Sequence, residues 1–80
     1  MERTPVESSQ IKSIGYDENT HVMEVEFSTG AIYRYRDVPP NLHAEFILAP
    51  SKGSFLGRNI KSDPKRYPYT KIAGPTPKGA

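Results

Sequence analysis

Eighty residues without a cysteine, 35% of them hydrophobic, suffice for one small domain and exclude a disulfide or a thiolate metal site. No apolar run approaches the length of a membrane span, and Met1–Gln10 is too polar for a secretory signal, so a soluble cytoplasmic chain is expected. Net charge is only +2, but residues 1–33 hold six acids against Arg3 and Lys12, whereas residues 50–80 hold seven bases against Asp63 alone. A basic half of this kind suits a polyanion, or else a solvated face that balances the acidic one.

In chain order, Met1–Glu7 offers little to bury and reads as a flexible N-terminal arm ahead of a single domain over 8–72. Ser8–Tyr16 is a first strand, with Lys12, Ile14 and Tyr16 on one face and Ile11 and Ser13 on the other; Gly15 marks a bulge or a close backbone approach. Asp17-Glu18-Asn19-Thr20 is turn chemistry rather than an acid/base pair, since no histidine partner accompanies it. His21–Phe27 is a strong second strand in which Met23, Val25 and Phe27 alternate with Val22, Glu24 and Glu26.

The next turn decides the fate of two tyrosines. A two-residue turn at Thr29-Gly30 would leave Tyr33 and Tyr35 outside with the glutamates and bring Arg34 and Arg36 to the apolar face. A three-residue loop with Gly30 left-handed pairs Phe27 with Ala31, Val25 with Tyr33 and Met23 with Tyr35, and sets Glu24 against Arg34. Only the second register separates apolar from charged side chains, and it gives Gly30 a conformation that glycine adopts cheaply. Tyr33 and Tyr35 are therefore expected mostly in the core.

Asp37-Val38-Pro39-Pro40 stops the third strand. A helix should start near Pro40 or Asn41, present Leu42, Phe46, Ile47 and Ala49 inward, and end at Pro50. A second short helix, capped by Ser51, should run through about Ile60 and bury Phe55, Leu56 and Ile60, with Ser62-Asp63-Pro64 stopping it. Tyr67–Ile72 reads as a last strand, confined by Pro68 to an edge or a strand beginning. Ala73–Ala80 reads as a disordered tail. The fold class is α+β: a small antiparallel three-stranded meander, one or two short helices on one face and a C-terminal strand.

The ordered set of residues resembles the KTSC family, a short domain named after the C-terminus of some lysyl-tRNA synthetases and also found as free-standing bacterial proteins. The features that carry the resemblance are Ser8-Ser9 with Ile11, Ile14-Gly15-Tyr16-Asp17, Val25-x-Phe27, Gly30, Tyr33-x-Tyr35 and Val38-Pro39. They continue through Phe46, Ala49-x-Ser51-x-Gly53, Phe55-Leu56, Ile60-Lys61 and Tyr67-x-Tyr69, and cover Val6–Ile72. Two positions depart from the pattern. Gly57 stands where an asparagine is expected, and His43 where the first helix commonly carries an aromatic. The resemblance implies a small α+β domain with RNA as a partner, and it implies no catalytic residues.

Chemistry-bearing residues are few. Ser51, Gly53 and Ser54 could form an anion-binding helix N-terminus with Lys52 as counter-charge, or an ordinary N-cap; the glycine spacing of a P-loop is absent. Arg58 and Lys61 follow on the same segment. Arg34, Arg36, Lys65, Arg66 and Lys71 could form a second basic strip, with Tyr67 and Tyr69 as stacking surfaces for single-stranded RNA. Only His21 and His43 are available as histidine ligands, so no metal site is expected, and a Ser54–His43–Asp37 triad lacks a nucleophile context. No cofactor, membrane or small-molecule substrate is implied. The function expected is non-catalytic binding of tRNA-like or single-stranded RNA through backbone phosphates by Lys52, Arg58, Lys61, Lys65 and Arg66, then Arg34 and Arg36. The alternative is a protein–protein interaction module that docks on a larger assembly.

Overall fold

Five strands and two helices succeed one another as β1 (Arg3–Pro5), β2 (Ile11–Asp17), β3 (Val22–Phe27), β4 (Ile32–Tyr35), α1 (Pro40–Leu48), α2 (Lys52–Leu56) and β5 (Tyr69–Ala73). A single π-helical turn, Gly57–Lys61, continues α2. The computed structural model describes residues 2–74, so the tail expected over Ala73–Ala80 lies outside the described residues from Pro75 onward. The strands form one antiparallel sheet in the order β1-β2-β3-β4-β5. The three-stranded meander expected from the sequence is thus longer at both ends. Residues 3–5 of the expected arm pair with β2, and the last strand joins the meander beside β4.

The β3–β4 turn has the three-residue form. Gly30 has φ of 95°, its N–H donates to the Phe27 carbonyl at 2.9 Å, and the Phe27 N–H donates to the Ala31 carbonyl at 2.8 Å. A left-handed residue costs an L side chain energy and glycine almost none, which is why the chain turns here. The register follows as expected: Met23 faces Tyr35, Glu24 faces Arg34 and Val25 faces Tyr33.

Strand β2 departs from simple alternation. A bulge between Ile11 and Ser13 inserts one residue, so Ile11 and Ile14 both reach the core while Lys12 is exposed. The expected grouping of Ile11 with Ser13 is corrected by that extra residue. The bulge lies at Lys12 rather than at Gly15, which is instead the buried centre of a row running from Arg3 through Gly15 and Glu24 to Arg34.

The two helices cover one face of the sheet. Pro40 opens α1 at its first position, where a missing N–H costs nothing. Phe46 is the fully buried residue of α1 and lies against Phe55, with ring centroids 5.7 Å apart. Leu42, Ile47 and Phe55 pack half-buried against the same core, which also holds Ile11, Ile14, Met23, Val25, Tyr35, Val38, Leu56, Ile60 and Tyr67. Gly57 begins the π turn in ordinary right-handed helical conformation, and a Cβ there would meet nothing within 4 Å. The side chains of Asn59 and Ser62 donate to the Phe55 and Arg58 carbonyls at 3.1 and 2.6 Å.

Candidate functional site

Burial on the helix-bearing face falls away toward β5. One cross-strand row runs Tyr16, Met23, Tyr35, Tyr69, and the next runs Ile14, Val25, Tyr33, Lys71. Met23 and Tyr35 are closed off, whereas Tyr69 at the end of the row is 54% exposed, and Tyr33 and Lys71 are half-buried. The helices therefore cover the centre of the sheet and leave its β5 edge open. The Tyr69 ring rests on Tyr33 and Tyr35, at centroid distances of 5.8 and 6.0 Å. Tyr33 meets Phe27 edge to face at 5.7 Å. Burial pushes the Tyr35 hydroxyl far above the usual tyrosine range, with Tyr33 and Tyr69 adding to the effect. Tyr35 is thus a neutral ring beside an exposed one.

Of the basic residues, Lys71 shares this edge with Tyr69, two residues away on β5. The Lys61 ammonium lies 5.6 Å from the Phe27 ring centroid, a contact worth about 0.5–1 kcal/mol where solvent reaches it. Lys71 stands opposite Tyr33. Just before β5, the Arg66 guanidinium is 5.7 Å from the Tyr67 ring and the Arg36 backbone N–H donates to the Pro68 carbonyl at 2.8 Å. Arg58 and Lys65 are exposed, on the π turn and on the loop after it.

The expected second strip is divided by the sheet. Arg34 faces Thr70, on the opposite face from Lys71, and its guanidinium pairs with Glu24 at 3.2 Å. Tyr67 is a core residue, 7% exposed, and offers no open ring face. The β4–β5 register brings Tyr33, Tyr35, Tyr69 and Lys71 together instead. Of the two tyrosines expected mostly in the core, Tyr35 is buried and Tyr33 half-buried, and the loop from Ser62 to Pro68 concealed the strand that lies beside them.

The segment beginning α2 is occupied by the protein's own groups. The helix proper has five residues, and Ser51 makes no side-chain capping bond. The Lys52 ammonium donates to the Ala49 carbonyl at 3.2 Å. The Gln10 side chain lies where a Cβ on Gly53 would project. Ser54 is exposed beside them.

Acidic groups lie elsewhere. Glu24, with a side chain 4% exposed, accepts from Arg3 at 2.9 Å and from Arg34 at 3.2 Å on the face away from the helices. Glu26 accepts from the Ser13 hydroxyl at 2.8 Å on the same face. Glu2, Asp17 and Glu18 line an open depression with Asn19, Thr20 and Arg34. Among the described residues, no three His, Asp or Glu side chains gather as a metal site would require. No helix among them is long and apolar enough to cross a membrane.

His43 does the work of the aromatic expected at its position. Its ring stacks on Tyr16 with centroids 4.2 Å apart and planes 8° from parallel, and the Tyr16 hydroxyl donates to the Val38 carbonyl at 2.6 Å. Burial lowers the His43 pKa from its ordinary 6.5. The unfolded chain therefore binds the proton first as pH falls below about 6.5, and stability must decline until the folded pKa is passed. Thermal melts of the wild type should shift downward between pH 7 and pH 5, and the His43→Phe variant should show a flatter profile. Equal pH dependence in the two proteins would remove His43 as the cause.

The arrangement defines a small α+β domain, an antiparallel meander with helices on one face and an aromatic β5 edge that carries Lys71. The chain belongs to the KTSC domain family, whose model matches residues 7–67. It is similar to an uncharacterised protein of Stutzerimonas stutzeri, at 40% identity over 90% of this chain and 99% of that protein. A KTSC domain protein of Yersinia pestis has a similar solved structure, with a TM-score of 0.82 and 39% identity, covering 90% of this chain and 97% of that one. A lysine–tRNA ligase of Nostoc punctiforme contains a stretch 38% identical, covering 69% of this chain and 10% of the ligase.

Proposed function

We propose that this domain binds RNA without catalysis, through phosphate contacts made by the bases of its C-terminal half. The observation that carries this reading is the division of charge. Among the described residues, both ion pairs are made to Glu24, by Arg3 and Arg34, so Arg58, Lys61, Lys65, Arg66 and Lys71 have no carboxylate partner there. Unpaired cations beside an open face attract a polyanion, and binding is driven by release of its counterions. The relative named lysine–tRNA ligase supports the choice of RNA, since a stretch of that ligase is similar to most of this chain. Lys61, Lys65 and Arg66 are the leading contacts, followed by Arg58, Lys71 and Arg36. Lys52, Ser51, Gly53 and Ser54 rank below them because Gln10 and the Ala49 carbonyl already engage that corner. Arg34 ranks last, since phosphate would compete with Glu24.

Labelled tRNA and a short single-stranded RNA should bind with affinity that falls steeply as salt rises. The Lys61→Ala/Lys65→Ala/Arg66→Ala variant should lose affinity, and its log–log salt slope should flatten by roughly 2–3 for three lost phosphate contacts. Unchanged binding by the variant would move the site. Absence of binding at low salt would overturn the reading and favour a protein partner, with the free β5 edge as the place to look.

A further inference from the structure

The open aromatic edge has a chemistry that phosphate contacts leave unused. Tyr69 is 54% exposed at the sheet edge, and yet its ring is braced from the side by the tilted rings of Tyr33 and Tyr35 at 5.8 and 6.0 Å. An exposed ring that is already fixed loses little freedom when a flat ligand settles on it. Positive charge continues from this ring across the same face: Lys71, two residues on in β5, stands opposite Tyr33, and Lys61 lies over Phe27 on the central strand, the ring that Tyr33 touches. A flat apolar surface with positive charge to one side matches a flat apolar base whose strand continues into further phosphates. It suits an unpaired nucleotide, because the bases of a duplex are stacked on one another and hide their faces.

We propose that the exposed ring of Tyr69, supported by Tyr33, stacks an unpaired base of single-stranded RNA while Lys71 holds a neighbouring phosphate and Lys61, over Phe27, one further along the strand. This proposal rests on the RNA-binding reading above and adds the ligand form, single-stranded rather than duplex. The stack is indifferent to base identity, since every base has a π face, and it supplies affinity without sequence selection. Tyr67 takes no part because its ring is enclosed.

The test compares a short oligouridylate, an abasic strand with the same number of phosphates, and an RNA duplex, each with the wild type, Tyr69→Ala and Tyr69→Phe. The wild type should bind the oligouridylate roughly 10-fold or more tighter than the abasic strand, the scale of one base–aromatic stack. Tyr69→Ala should erase that difference while leaving the salt slope intact, and Tyr69→Phe should retain it, which separates ring stacking from a folding defect. The duplex should bind no tighter than the abasic strand. If the abasic strand or the duplex matches the oligouridylate, or Tyr69→Ala keeps the full difference, stacking is overturned while the phosphate reading stands. If none of the three binds at low salt, both fall together.

Discussion

Phe46→Ala should destabilise the domain by about 3–5 kcal/mol, the range for removing a fully buried phenylalanine. Phe46 is 0% exposed and is the buried residue of α1. Its ring lies against Phe55 at an interplanar angle of 23°, so it joins the first helix to the second as well as to the sheet. At about 0.05–0.15 kcal/mol per residue, a domain this size has roughly 4–12 kcal/mol in total, and the loss takes a large part of it. Urea unfolding should show a lower midpoint with an unchanged slope, and Phe46→Leu should cost much less because it leaves a smaller cavity. A loss below about 1 kcal/mol would mean that α1 docks mainly through Leu42 and Ile47, which are half-buried.

That helix was legible because its signals are local. A proline pair stops a strand and opens a helix, and Phe46 recurs at helical spacing from Leu42. The β3–β4 register was equally legible, since only one turn length segregates the tyrosines from the glutamates and Gly30 supplies the left-handed residue. Tertiary pairing was harder to see. Arg3–Pro5 has no strand pattern of its own, and it pairs because β2 offers a free edge and Glu24 offers Arg3 a partner. The bulge at Lys12 was hidden for a related reason: alternation assigns faces one residue at a time, and an inserted residue reverses the assignment.

The candidate site was legible as a list of residues more than as a surface. Lys61, Lys71 and Tyr69 stood out by charge and by ring. The sequence could not say that Tyr67 is enclosed while Tyr69 is open, since two residues of the same type and parity in a short strand look alike. The difference arises because Tyr67 precedes the ladder and turns under the helices, whereas Tyr69 is the first residue of β5. For Arg34 the sequence did show the partner, since the three-residue turn sets Glu24 opposite it, and that pair separates Arg34 from the other bases.

That partnership carries the second large effect. Glu24 lies on the central strand with a side chain 4% exposed, between Arg3 at 28% and Arg34 at 45%. Gly15, which has no side chain, is the residue between Arg3 and Glu24 in the row, so the guanidinium crosses over it. Replacing either arginine alone should cost about 1 kcal/mol, because the other still neutralises the carboxylate and both reach solvent. Replacing both with methionine keeps apolar cover over the site and strands a charged group in it. The Arg3→Met/Arg34→Met variant should therefore lose about 3 kcal/mol or more, well beyond the sum of the single changes. Adding Glu24→Gln to the double variant should restore much of the loss, since a neutral amide needs no counter-charge. A double variant that costs only the sum of the singles, with no gain from Gln, would mean that water rather than the two arginines keeps Glu24 charged.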